Sequence, residues 1–138
     1  MAKVLFEWDY SSYPGAKAYP HLFKPIQIGN LMVPNRIKYA ATEDNFNDHN
    51  GFITDADVAY MSSRAEGVVG GLCFMQGVYM DEARKGQGYV GQAGCWDDKY
   101  IPGLKRIADA IHEKKAIAGF QLMDCGRVGA VEVESGHA

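Results

Sequence analysis

The order of apolar and polar positions divides the chain into alternating strand and helix signals. Phe23 to Arg36 carries two short apolar runs, Ile26-Gln-Ile28 and Leu31-Met-Val33, around Gly29-Asn30, which predicts a hairpin ended by Pro34. Ile37-Lys-Tyr-Ala-Ala-Thr42 follows as a candidate strand. Asp44 to Gly51 is dense in turn formers, and Thr54 with Asp57 three residues later reads as a capping box that opens a helix. Val58, Met61 and Ala65 recur on one face of that helix, with Gly67 expected as its C-terminal cap. Gly71 to Gly77 is a short apolar run bounded by glycines, the pattern of a strand buried on both faces. Residues 78–97 read as a long glycine-bearing loop. Ile101, Leu104, Ile107, Ala108 and Ile111 then form one apolar stripe, with Pro102 in the first turn and Lys114-Lys115 at the end where a helix dipole favours cations. Ala116 to Leu122 is a third apolar strand, and 124–138 return to loop composition.

Residues 1–21, rich in Tyr, Pro, Ser and Gly, show neither a period of two nor one of 3.6 and are expected as an extended arm on a surface; residues 22–138 form the domain proper. The order is hairpin, strand, helix, strand, helix, strand, loop. Strands that alternate with helices build parallel sheets. Three such strands with two helices leave a sheet face or edge that must be covered, so the chain is expected to be incomplete by itself. Polar or small residues stand where the apolar runs stop: Thr42-Glu43, Gln76-Gly77 and Gln121. In parallel α/β architectures ligands bind at the carboxyl ends of the strands.

Composition narrows the partners. Fourteen Lys and Arg against seventeen Asp and Glu give a formal charge of -3, so no basic field exists to collect nucleic acid or a membrane surface. Cys73, Cys95 and Cys125 are odd in number and far apart, without a metal-ligand spacing, and read as reduced thiols of a cytoplasmic protein. No metal site is expected. Glycine, 16 of 138 residues, is well above the usual share of about 7%. Tight backbone positions should therefore matter.

Several motifs in register resemble one family. Leu22-Phe-Lys-Pro-Ile-Gln-Ile-Gly-Asn-Leu31, Asn35-Arg36-Ile37, Tyr60 to Gly67, Ile101 to His112, and Phe120-Gln-Leu122 with Gly126-Arg127 are similar to the N-terminal part of the old yellow enzyme family. More narrowly they resemble its branch of 2,4-dienoyl-CoA reductase, bile-acid enoate reductase and trimethylamine dehydrogenase type. That resemblance implies an α/β fold, the N-terminal portion of a (βα)8 TIM barrel, about strands one to three with two helices, preceded by a hairpin that closes the barrel's bottom. A full barrel takes roughly 250 residues. The resemblance also implies FMN at the C-terminal mouth, with Ala40, Ala41, Thr42 and Glu43 along the flavin ring, Gly77 allowing its close approach, and Gln121 pairing with its pyrimidine edge.

Departures from the family pattern are local. Ala41 stands where the family usually has Pro, and Glu43 where it has Thr, Cys or a similar residue at the flavin O4/N5 edge. Glu43 would oppose the charge of reduced flavin if ionised, or donate a hydrogen bond if protonated, and burial favours the neutral form. Asp124-Cys125 replaces a common His-Ala. The family's substrate-binding His pair, proton-donating Tyr and FMN-phosphate ligands belong to later strands, so catalytic residues are expected outside this chain.

The expectation is a subunit or N-terminal piece of an FMN-dependent ene-reductase-like oxidoreductase that moves hydride between flavin and an activated C=C bond of a small-molecule substrate. NAD(P)H is the implied electron donor, and a second polypeptide carrying the remaining strands the implied partner. FMN would be shared with that partner, and any iron–sulfur cluster or FAD would belong to it alone. The rival readings are a partial-barrel scaffold without flavin and a fragment without function of its own. Elsewhere the residues have plain structural readings. His49 is a solvated turn residue, His112 a helix-end cation, Asp55 and Asp57 first-turn helix carboxylates, and Cys73 a small core hydrophobe.

Overall fold

Thr54 converts the turn-rich stretch before it into a helix. Its extended backbone and side-chain oxygen, which accepts from the Asp57 amide at 3.5 Å, start α2 (Asp55–Gly67). The computed structural model describes residues 2–129. Within them, β1 (Lys3–Val4), α1 (Pro14–Ala18), β2 (Ile26–Ile28), β3 (Leu31–Val33) and β4 (Lys38–Tyr39) precede α2. After it come β5 (Leu72–Tyr79), a 3-10 turn (Asp98–Tyr100), α3 (Ile101–Glu113) and β6 (Ile117–Met123).

Two small sheets result. The hairpin β2–β3 turns at Gly29, whose φ of +58° suits glycine, and β1 adds to it in the order β1-β3-β2. The second sheet is parallel, in the order β4-β5-β6, with α2 linking β4 to β5 and α3 linking β5 to β6. Met61 and Ala65 of α2 and Ile107 and Ile111 of α3 pack on Cys73, Met75 and Val78 of β5, forming one apolar layer between sheet and helices. No helix among the described residues is long and apolar enough to cross a membrane.

β5 carries one extra residue. Phe74 pairs with Gly119 and Gly77 with Gln121, so three steps in β5 match two in β6. This bulge puts Phe74 and Gly77 on one face of the sheet, although alternation would have opposed them. Gln76 is thereby turned into a fully buried position.

At the opposite end of the strands, the N-terminal segment is built into the domain. Residues 1–21, expected as an extended arm, contain β1 and the five-residue α1. Trp8, Tyr10, Tyr13 and Phe23 stack with one another, ring centroids 5.1 to 6.4 Å apart. The Trp8 indole donates to the Lys115 carbonyl at 2.9 Å and the Tyr10 hydroxyl to the Val69 carbonyl at 2.8 Å. Both acceptors end a helix in the left-handed region, Val69 at φ +51° and Lys115 at φ +54°. The aromatic segment thus satisfies helix-end carbonyls that otherwise lack partners. Buried Asn35 joins the same knot, donating to the carbonyls of Val68 and Val69 at 3.0 and 2.9 Å and accepting from the Ile37 amide at 2.9 Å.

Several boundaries differ from the sequence reading. The strand expected over 37–42 is hydrogen-bonded only at Lys38–Tyr39, because the chain leaves the sheet toward the strand ends. β5 runs two residues past Gly77, held there by a bridge from Tyr79 to Gly94. Gly67 is the last helical residue of α2, and the left-handed exit falls on Val69 and Gly70 instead. Residues 126–129, expected as loop, turn helically; the remainder of that segment lies outside the described residues.

Gly71 and Gly67 separate packing from propensity. A Cβ at Gly71 would lie 2.2 Å from the Ile37 carbonyl oxygen and 2.4 Å from Asn35 Oδ1, whereas one at Gly67 meets nothing within 4 Å. Gly71→Ala should therefore destabilise by about 2 kcal/mol, and Gly67→Ala should be neutral or stabilise by up to about 1 kcal/mol. Denaturant unfolding of the protein in its native assembly checks both.

Candidate functional site

The carboxyl ends of β4, β5 and β6 bring most of the sequence-selected residues together. Gly77 and Gln121 are register partners, and the Gly77 amide donates to Glu43 Oε1 at 2.8 Å. Ala40, Ala41 and Gln121 line a cleft of about 320 Å³ along the sheet face, with Lys38, Phe74 and Phe120. Lys38 stacks its ammonium 4.2 Å from the centre of the Phe74 ring. Thr42 stands apart: it is exposed, and its hydroxyl donates back to the Ala40 carbonyl at 3.2 Å.

Small residues stand in the cleft wall and beside it. Ala40 and Ala41 present only methyl groups. A Cβ on Gly77 would fall 2.5 Å from Met123 Sδ and 2.6 Å from Glu43 Oε1, so no side chain fits at 77. The Gln121 carboxamide is exposed and forms no side-chain hydrogen bond among the described residues, leaving a donor and an acceptor for a ligand.

The surroundings of Glu43 bear on one alternative left by the sequence. Burial pushes its carboxyl pKa above the usual range, against the lowering effects of the Tyr89 hydroxyl and the Gly77 amide, while neighbouring Asp44 pushes it further up. Its Oε2 is buried, with the equally buried Tyr89 hydroxyl as its polar neighbour. Burial thus moves Glu43 toward its neutral form relative to an exposed glutamate. Tyr89 and Cys125 are raised too, each first by burial and then by Glu43. Cys125 is consequently a thiol rather than a nucleophilic thiolate.

The loop over 80–97 is the part that sequence reading left without a role. Buried Gln92 donates to the Gly77 carbonyl at 3.0 Å and accepts from the Gly88 amide at 2.7 Å, fastening the loop beneath the cleft. Tyr79 and Tyr100 both donate to the Asn50 carbonyl, at 3.1 and 2.9 Å, and fasten the preceding loop beside it. The only sequence signal was a polar residue among glycines, Gly91-Gln92-Ala93-Gly94, too common to single out. Among the described residues, no three of His, Cys, Asp and Glu gather as metal ligands would.

The family model for NADH:flavin oxidoreductase / NADH oxidase matches residues 21–137. The chain belongs to that family. An NADH oxidase of Thermoanaerobacter brockii is 32% identical over 109 residues, covering 79% of this chain and 16% of that protein. A metal reductase of Desulforamulus reducens is 38% identical over 106 residues, covering 77% of the chain and 15% of the relative. Among solved structures, a 2-naphthoyl-CoA reductase complexed with 2-naphthoyl-CoA superposes with a TM-score of 0.75 at 46% identity, over 80% of this chain and 16% of the other. Old yellow enzyme from Pichia sp. AKU4542 gives 0.74 at 26% identity, over 85% and 30%. The chain thus spans about a sixth of those two curated relatives and corresponds to the N-terminal part of an old yellow enzyme-type barrel. As a partial barrel, it has three parallel strands with a bottom hairpin.

Gln92→Ala would leave the Gly77 carbonyl and the Gly88 amide without their buried partner. The expected cost is about 2–4 kcal/mol, read by unfolding of the native assembly, with faster amide hydrogen exchange at Gly88.

Proposed function

We propose that this chain supplies one wall of the flavin pocket of an FMN-dependent, NAD(P)H-linked oxidoreductase acting on an activated C=C bond, in the branch that includes acyl-CoA and enoate reductases. The observation that carries this reading is the convergence of Ala40, Ala41, Glu43, Gly77 and Gln121 at the carboxyl ends of three adjacent parallel strands. It is supported by membership of the family and by the 46% identity to the 2-naphthoyl-CoA reductase.

These residues fit the edge of a planar heteroaromatic ring. Gly77 and the two alanines allow close approach, Gln121 offers a paired donor and acceptor, and the Glu43 carboxyl offers a donor when protonated. Thr42 takes a lesser part, at the rim. Bound FMN supplies the hydride chemistry; the chain's residues hold and orient it and exclude water from one side.

The remaining strands, with the groups that bind substrate, come from outside these residues, in our reading from a second polypeptide with which FMN is shared. In keeping with this, β4 and β6 each have a free edge among the described residues. Phe120 and Leu122 on β6 are 46% and 59% exposed. Such surfaces invite pairing by further strands.

Native purification of the tagged chain with everything bound to it, followed by a visible spectrum and mass analysis, tests the reading. Stoichiometric flavin with a second polypeptide is the expected result. A single longer chain holding the flavin would replace the partner by downstream residues of the same protein, and a colourless assembly that takes up no FMN would overturn the pocket. Gln121→Ala should weaken FMN binding about tenfold, the worth of one good hydrogen bond, as measured by flavin fluorescence on titration. Gly77→Val should abolish binding.

A further inference from the structure

Asp57 is the least expected residue of the domain. Sequence pattern makes it a first-turn helix carboxylate like Asp55. Asp55 is indeed exposed and ion-paired with Arg106, but Asp57 is fully buried. It faces Asp44, which follows Glu43 on the segment leaving β4, and one amide serves both. Gln76 Nε2 donates to Asp44 Oδ1 at 2.8 Å and to Asp57 Oδ2 at 3.4 Å. Two oxygens held by one nitrogen at these distances lie no more than about 6 Å apart, a range in which buried like charges strongly oppose each other.

The other oxygens of the two acids complete the picture. Asp44 Oδ2 and Asp57 Oδ1 are both buried without a partner at hydrogen-bond distance, and the Asn47 side chain is the other polar group beside Asp57. The single Gln76 nitrogen bonded to both holds the two carboxyl groups side by side. Neither forms a salt bridge among the described residues. A buried and a half-buried carboxyl side by side, with no cation between them and a partnerless buried oxygen on each, have one simple resolution, a proton between them.

We propose that Asp44 and Asp57 share one proton in a carboxyl–carboxylate hydrogen bond, and that this pair is the positioning device that sets Gln76 beneath the candidate site. Gln76 passes the constraint on. Its Oε1 accepts from the Ala93 amide at 3.3 Å, in the loop fastened under the cleft, and its backbone leads directly into Gly77. The proton comes from bulk water and returns there when the pair ionises. The inference concerns only these side chains and stands whether or not a flavin lies above Gly77.

The sign of the pH dependence follows. Burial, then the charge of Asp44, push Asp57 up to about 7 from its ordinary 3.8, and burial raises Asp44 as well. The value belongs to the pair rather than to either residue. Between the ordinary and the raised value the folded pair holds a proton that the unfolded chain has lost. Stability from the pair is therefore complete below about pH 4, falls as pH rises, and is gone above about pH 7. The other groups facing the pair are Glu43 from the β4 exit, Tyr60 from α2, Tyr89 from the 80–97 loop, and the uncharged Asn47. Both tyrosines are raised and stay neutral throughout this window. Glu43 is shifted in the same direction, so the Asp pair is isolated only by difference between variants.

The test uses the full protein in the assembly in which it purifies. Infrared spectra with carboxyl-labelled aspartate should show a protonated aspartic acid at about pH 5.5 that disappears by about pH 8.5. Absence of that band from the folded protein at the lower pH overturns the proposal without recourse to any variant. Asp57→Asn, which keeps a donor toward Asp44, should lose the band and the part of the thermal-stability profile centred near pH 7. Asp57→Leu, which cannot donate, should be less stable at every pH. A profile in Asp57→Asn unchanged from wild type overturns the proposal. So does stoichiometric binding of added calcium or magnesium at about pH 8.5 that Asp57→Asn abolishes, because the pair would then hold a cation.

Discussion

One extra residue in β5 governs the upper half of this domain. Without the bulge between Phe74 and Gly77, strict alternation would send Gly77 to the helix side and place a side chain against the cleft. With it, the glycine that no Cβ could replace faces Gln121, and the carboxamide of Gln76 is delivered to two buried acids. The same irregularity thus creates the smooth wall of the cleft and the polar anchor behind it. Gln92 then closes the arrangement from the loop side by binding the Gly77 carbonyl. Bulges cluster next to functional sites because they re-aim side chains in this way.

The lower half answers a different constraint, the ends of the two helices. Val69 is β-branched and sits at positive φ, a costly conformation that persists only when its surroundings fix it. Here Asn35 and Tyr10 both donate to its carbonyl, and the Trp8 ring fills the space beside Gly70, where a Cβ would come within 2.1 Å of the indole nitrogen. The N-terminal aromatic residues are therefore part of the domain's own packing. Strain at the bottom and the open cleft at the top lie at opposite ends of the same three strands, so each can be specified without disturbing the other.

What the sequence made legible follows from periodicity and from motifs. The stripe through Ile107 and Ile111, the cap at Thr54 and the Gly29-Asn30 turn are local signals, and each produced its element close to the expected bounds. The bulge was invisible because it exists only in the pairing of β5 with β6, two segments separated by the whole of α3. The arm misled because aromatic residues that cap helices across more than a hundred positions leave no periodic trace, as with Trp8 and Lys115. Of the six residues expected along a flavin, Ala40, Ala41 and Gln121 line the cleft, Gly77 and Glu43 are bonded to each other beside it, and the Thr42 hydroxyl turns back to the Ala40 carbonyl. Asp57 could not be told from Asp55 by type or spacing, since burial alone separates them.

Burial also changes the charge that the composition suggests. A formal net charge of -3 counts every carboxyl as ionised. Around the strand ends Glu43, Asp44 and Asp57 are all shifted toward their neutral forms, first by burial. The region beneath Gly77 is thus held together by hydrogen bonds among carboxyl, amide and backbone groups rather than by salt bridges, which the described residues form at the surface, as at Asp55 with Arg106 and Lys105 with Asp109. A ligand that gains negative charge at this cleft would meet a Glu43 carboxyl that burial has moved toward its neutral, donating form. Preorganised donors in a dry site act most strongly on such developing charge. A glutamic acid next to a glycine is compatible with that role only because the fold first removes it from water.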